Sequence, residues 1–168
     1  MRKMSLPEAG YERNDCSFMT NYTLLNQQLL SLTEGVTEPV SNLANASALL
    51  FHTLPDLNWA GFYLYKNNAL LLGPFQGKHA CTLIPMGKGV CGTAALRGET
   101  LVVPDVHAFP GHIACDGDSN SEIVIPLYVG GTLYGVLDID SPVYCRFTEE
   151  DRMGLEAFAR TLEAVLNG

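Results

Sequence analysis

Two runs of alternating residues, 122–129 and 132–140, joined by Gly130-Gly131, constrain the fold of this chain more than any other stretch. In the first, Ile123, Ile125, Leu127 and Val129 alternate with Glu122, Val124, Pro126 and Tyr128. In the second, Leu133, Gly135, Leu137 and Ile139 alternate with Tyr134, Val136, Asp138 and Asp140. A strand sends successive side chains to opposite faces, so each run has an aliphatic face and a face that ends in acid. The glycine pair suits a tight turn with positive φ, which sets the two strands side by side. With the aliphatic faces in one core, Glu122, Asp138 and Asp140 gather on the opposite surface.

The rest of the chain supplies partners for that sheet. Tyr22, Leu25, Leu29 and Leu32 recur at helical spacing between 17 and 32, and Gly35 suits the stop. Thr37 is expected to cap a second helix with Pro39 in its first turn and Val40, Leu43, Leu50 and Phe51 along one side. In NWAGFYLY, Ala60, Phe62 and Leu64 alternate with Trp59, Gly61, Tyr63 and Tyr65; Asn67-Asn68 then reverses the chain into a strand from Ala69 to Phe75. Val90 to Leu96 reads as a short helix ended by Gly98, and Glu99 to Val103 as a brief strand. Residues 105–120 form a long loop, a feature that in a compact domain usually serves function. Thr148 caps a last helix whose apolar face is Leu155, Phe158, Leu162 and Val165. Such an order predicts an α+β sandwich, with helices on one sheet face and a site on the other.

With 168 residues, 47% of them hydrophobic, the chain can bury one substantial core, expected over 17–168 behind an N-terminal arm at 1–16. The net charge of -8 opposes a nucleic-acid or anionic-membrane partner, both of which call for a basic surface. No run reaches membrane-spanning length, and the polar start MRKMSLPEAGYERND lacks the apolar core of a secretion signal. A cytoplasmic setting follows as the expectation, and there five cysteines point to reactive or metal-binding thiols rather than a disulfide frame.

Three cysteines (Cys81, Cys91, Cys115) fall within one stretch with the three acids. Trp59 and Tyr63 share the acids' face, and an indole beside carboxylates forms a pocket for a small cation that also has an apolar part. Three crowded acids in a poorly hydrated pocket cannot all ionise cheaply, so one is expected to keep its proton near neutral pH. Cys91 lies at a helix start after Lys88, where dipole and charge lower a thiol pKa, while Cys115 lies on the long loop beside His112, Asp116 and Asp118. Physical chemistry does not choose between them. His79, His107 and His112 raise the question of zinc, but there is no close Cys-x-x-Cys pair, and no metal is assigned. Lys88 between two glycines lacks the rest of a phosphate loop and reads as a turn. Cys16 and Cys145 receive no role.

Across NWAGFYLY, GKHACTLIPMGKGVCGTAA, VPDVHAFPGHIACD and SEIVIPLYVGGTLYGVLDIDSP, the chain resembles the free methionine-(R)-sulfoxide reductases, a family built on a GAF domain. The likeness runs over about residues 20–165. It implies a six-stranded antiparallel sheet backed by helices, a ligand cavity on the opposite face, and reduction of free L-methionine (R)-S-oxide to L-methionine without a cofactor. It further implies an intramolecular disulfide reduced by thioredoxin, and a homodimer. By the same resemblance, Cys115 is the nucleophile, Cys81 the resolving thiol and Cys91 a second resolver, with Trp59, Tyr63, Glu122, Asp138 and Asp140 binding substrate. The chemistry needs a nucleophile for sulfur and a proton for the departing oxygen, and Glu122 is the expected proton donor. Two rival functions use the same cavity or thiols: a GAF-type sensor that binds a small ligand without chemistry, and a thiol redox switch without sulfoxide turnover.

Overall fold

The computed structural model describes residues 20–111 and 117–168. In chain order these form α1 (Tyr22–Thr33), α2 (Pro39–Thr53), β1 (Trp59–Lys66), β2 (Ala69–Gly77), β3 (Leu83–Pro85), α3 (Gly89–Arg97), β4 (Leu101–Val103), a 3-10 turn (Val106–Ala108), β5 (Ser121–Val129), β6 (Thr132–Ser141) and α4 (Glu149–Leu166). The strands make one sheet in the order β3-β2-β1-β6-β5-β4, antiparallel at each junction. The expected arm at 1–16 and the start of the domain at 17 lie outside the described residues, as do Cys16 and Cys115.

Gly130 and Gly131 take φ of +59° and +76°, the left-handed geometry a two-residue hairpin turn requires, and β5 and β6 pair along nearly their full length. Ile123, Ile125, Leu127, Leu137 and Ile139 point into one core with Leu25, Leu29, Leu43, Leu50, Leu155, Phe158 and Leu162. Each such side chain contributes roughly 1.5–3 kcal/mol when buried. The alternation breaks near the turn: Leu127 pairs with Gly135 but Tyr128 with Leu133, so Tyr134 is an extra residue. This bulge reverses the expected sides, turning Tyr134 toward the helical core and Leu133 away from it.

Three helices pack on that aliphatic face, as the alternation predicts, though their inward stripes differ in detail. In α1, Leu25, Leu29 and Thr33 are buried and Leu32 is exposed; in α2, Val40 is exposed, and Leu43, Ala46, Ser47 and Leu50 turn inward. Thr37 is not the cap of α2. Glu38 occupies that position without a side-chain bond, because Pro39 at the first turn has no N–H to satisfy and already carries a helical φ. At α4, Thr148 and Asp151 close a capping box. Asp151 also accepts from Tyr22 Oη at 2.6 Å and from Arg146 Nη1 at 3.1 Å, which ties α1 to α4.

The opposite face carries the smaller α3. Val90, Cys91 and Ala94 pack there against Val124, Val136, Leu70, Trp59 and Tyr63. Gly92 brings α3 against the end of β3, where a Cβ would lie 2.4 Å from the Pro85 carbonyl oxygen. Gly98, at φ +67°, ends the helix as expected. The strand after it begins at Leu101 rather than Glu99, the β2 strand runs on to Gly77, and β3 is a strand the sequence did not announce.

Candidate active site

The register of the sheet places the site residues in rows. Trp59 on β1 pairs with Asp140 on β6, and Asp140 pairs with Glu122 on β5; in the adjoining row on the same face, Gly61 pairs with Asp138 and Asp138 with Val124. The three acids therefore share one surface, and the chain reverses at Gly130-Gly131 to bring them there. Glu122 and Asp138 are 5% and 6% exposed, whereas Asp140 is only half-buried and marks the solvent side of the cluster.

The third position on α3 delivers Cys91 to this cluster. Its thiol points at Glu122, with Sγ 3.8 Å from Oε1, and donor atoms of Cys91, Glu122 and Asp138 all lie within 4.8 Å of one another. Burial and the negative charges of Asp138 and Glu122 push the Cys91 thiol well above its ordinary range. This reverses the expectation drawn from the start of α3 and Lys88: the sulfur lies in the first turn, but its burial and the neighbouring acids outweigh the dipole. Cys91 is a poor resting nucleophile.

Burial also raises Glu122, reinforced by the charges of Asp138 and Asp140, so this carboxyl holds its proton to higher pH than an exposed glutamate. Burial raises Asp138 too, but hydrogen bonds from Cys91 and Glu122 restrain it at about 6. One oxygen of Asp138, Oδ1, is buried without a hydrogen-bond partner. Two carboxyls this close and this dry resist ionising together, so the pair titrates as a unit and gives up its second proton late.

Trp59 and Tyr63 stand on the same face, both almost fully buried. The indole stacks on Tyr63 at 5.8 Å and on Phe75 at 5.3 Å, and its Nε1–H donates to the Lys78 carbonyl at 3.1 Å. Gly61 makes this possible, because a Cβ there would lie 2.3 Å from that of Phe75 and 2.8 Å from the indole. Phe75 and Gly61 were missed in the sequence; a glycine inside a strand pattern signals close backbone approach, and that was the available clue. Cys81 is half-buried beside the same cluster, and Cys145 is exposed.

Both ends of the long loop are fixed. On one side Asp105 accepts from the His107 amide, and His107 Nε2 meets Asn120 Oδ1 at 3.0 Å, so this histidine holds the loop. On the other, Asn58 donates to the Ser119 hydroxyl at 2.8 Å, Asn120 to the Pro142 carbonyl at 2.7 Å, and Lys78 pairs with Asp118. Cys115, His112 and Asp116 lie between these anchors, outside the described residues. Among the described residues, no helix is long and apolar enough to cross a membrane.

The GAF domain pattern matches residues 28–166. Protein YtsP of Bacillus subtilis is 57% identical over 148 residues, covering 87% of this chain and 91% of its own length. The free methionine-R-sulfoxide reductase of Escherichia coli is 55% identical over 145 residues, covering 86% and 88%. Among solved structures, fRMsr of Staphylococcus aureus in complex with substrate superimposes with a TM-score of 0.84 at 51% identity, covering 88% of this chain and 97% of that one.

Proposed function

This chain belongs to the free methionine-R-sulfoxide reductases, enzymes built on the GAF domain, and from that premise we propose that it reduces free L-methionine (R)-S-oxide to L-methionine on the acidic face of its sheet. One observation carries the proposal: two buried carboxyls, both raised by that burial, stand beside a half-buried third on the sheet face opposite the main helical core. A sulfoxide oxygen leaves only when protonated, and Glu122 is a carboxylic acid kept neutral where it can supply that proton. Asp138 and Asp140 receive the substrate ammonium, and Trp59 with Tyr63 walls the methyl-sulfur end.

Cys115 attacks the substrate sulfur as thiolate. The sulfur–oxygen bond breaks as oxygen takes the proton, and the hydroxyl passes to the Cys115 sulfur as the bond between Cys115 and the substrate sulfur breaks, so methionine leaves and Cys115 becomes a sulfenic acid. The Cys81 thiol then attacks that sulfur, releasing water and forming a disulfide, so two thiols supply the two electrons. Assignment of Cys115 rests on the family likeness and on reach. It lies four positions before Ser119, which is bonded to Asn58 beside Trp59, a span of at most about 14 Å. The raised pKa of Cys91 supports giving it the second resolving role instead of attack. A dithiol reductant of the thioredoxin class then restores the thiols in a cytoplasmic setting. Pairing of two chains is part of the same reading, and the exposed Leu24, Leu30 and Val40 offer apolar surface for it.

The test is a single turnover without added reductant. Reduced protein given free methionine (R)-S-oxide should yield about one methionine per chain and a disulfide linking Cys115 to Cys81, read by peptide mass spectrometry. Methionine formed with all thiols still reduced, or no methionine from either epimer, contradicts the proposal.

A further inference from the structure

We propose that the reduced protein captures one divalent cation of the zinc class through the Cys91 sulfur and one carboxylate oxygen each from Glu122 and Asp138, on the floor of the substrate site. The three ligands come from α3, β5 and β6, and their donor atoms already lie within 4.8 Å of one another. In a tetrahedral zinc site, a Zn–S bond of about 2.3 Å and a Zn–O bond of about 2.1 Å set the sulfur–oxygen edge near 3.6 Å. The Cys91 Sγ to Glu122 Oε1 distance is 3.8 Å. Small rotations of the two carboxyls close the remainder.

A second feature points to a ligand independently of this spacing. Asp138 is more than nine-tenths buried, and its Oδ1 has no hydrogen-bond partner. A buried acceptor left open costs stability, and a cation would satisfy it. A thiolate and two carboxylates carry three negative charges against two positive ones. Sulfur in the set selects a borderline-soft ion; magnesium and calcium demand six or more oxygens, which three ligands in this enclosure cannot provide. Three protein ligands also leave the fourth tetrahedral position open, as in catalytic rather than structural zinc sites. The half-buried Asp140 beside Glu122 marks the side from which the ion enters.

Occupancy withdraws the Glu122 proton and both carboxylates from the substrate, so zinc competes with methionine sulfoxide. That consequence rests on the reductase reading; the binding itself does not. The sequence gives no sign of the site, because its ligands are 31 and 16 residues apart and follow no metal-binding spacing.

Reduced full-length protein, titrated with zinc and followed by X-ray absorption at the zinc edge, should bind one ion per chain with one sulfur at about 2.3 Å and oxygens at about 2.0–2.2 Å. Cys91→Ser should weaken binding by at least about 10-fold, the loss that even an outer-shell change can cause. Cys81→Ser should leave binding unaltered, and excess magnesium should not displace the ion. Zinc should raise KM for the sulfoxide with kcat unchanged. Two or more sulfurs around the ion, undiminished binding by a folded Cys91→Ser protein, or no binding at all would overturn the inference. Because the absorption spectrum needs no turnover, a protein that reduces sulfoxide but binds no zinc loses only this inference. One that binds zinc but reduces no sulfoxide loses only the reductase reading.

Discussion

Glu122 and Asp138 are carboxyls held where water is scarce, and that placement is felt in both the reaction and the stability. Glu122→Gln keeps the shape of the side chain but removes the transferable proton. Turnover should fall by about 10²–10⁴-fold with substrate binding largely retained; a kcat within a few-fold of the parent would remove Glu122 as the donor. Asp138→Asn tests the other half of the pair. Burial lifts the Asp138 carboxyl from 3.8 to about 6, a change of about two pH units or about 3 kcal/mol against the ionised form. At pH 7.5 the asparagine variant should therefore melt several degrees higher than the parent, with the gain vanishing near pH 4, where the aspartic acid is already neutral. With a negative neighbour gone, Glu122 also loses its proton more readily, so the alkaline limb of activity should move to lower pH. A variant that melts lower at pH 7.5 contradicts the placement. Cys91 gives the converse lesson. A helix start after a lysine signals an acidic thiol only where burial and neighbouring acids do not oppose it, and this sulfur is turned into the carboxyl cluster.

At the scale of elements, two glycines hold positions that no propensity explains. Gly154 lies in the interior of α4, where alanine ordinarily gains about 1 kcal/mol. A Cβ there would lie 2.2 Å from the Tyr22 ring, which lies against the helix and donates its hydroxyl to Asp151. Gly154→Ala should thus destabilise by roughly 1–3 kcal/mol in chemical denaturation, the usual consequence of overpacking, and a stabilised variant would contradict that contact. Gly61 lets Trp59 stack on Phe75. Trp59 is the chain's single tryptophan, so its emission reports this wall alone. Gly61→Ala should shift that emission to the red and expose it to quencher, whereas an unchanged spectrum would show that the close approach is not required.

For the whole molecule, stability depends on pH through groups of opposite sign. Burial pushes the Asp151 carboxyl up, but hydrogen bonds from Tyr22 and Thr148 and the charge of Arg146 outweigh it and hold it below its ordinary range. Its contribution is present above the unfolded carboxyl pKa and is lost as pH falls through the folded one. Glu122 and Asp138 act oppositely: the folded state retains their protons longer than the unfolded state, so their contribution declines as pH rises, for Asp138 from about 4 through 6. Melting temperature should consequently peak on the acidic side of neutrality, and Asp138→Asn should flatten the descent above the peak.

Much of this arrangement was legible in the chain itself. A period of two over 122–140 fixed the hairpin and the shared face of the three acids, and the helical stripes identified most of the main core. What escaped was decided by tertiary contact. The bulge at Tyr134 reverses parity beside Gly135, a strand glycine that is compatible with a bulge but does not require one, and three residues of β3 are too few to carry a period. Nor did any local pattern tell that α3, alone among the four described helices, would pack on the acidic side and bring Cys91 to Glu122.

The central claim is that a buried carboxyl stays protonated at neutral pH on this sheet, ready to release the sulfoxide oxygen. Infrared difference spectroscopy of the reduced protein at pH 7 reads it directly. A carbonyl stretch of a protonated carboxyl should be present in the parent and missing in Glu122→Gln; its absence from the parent, or its survival in the variant, would contradict the account.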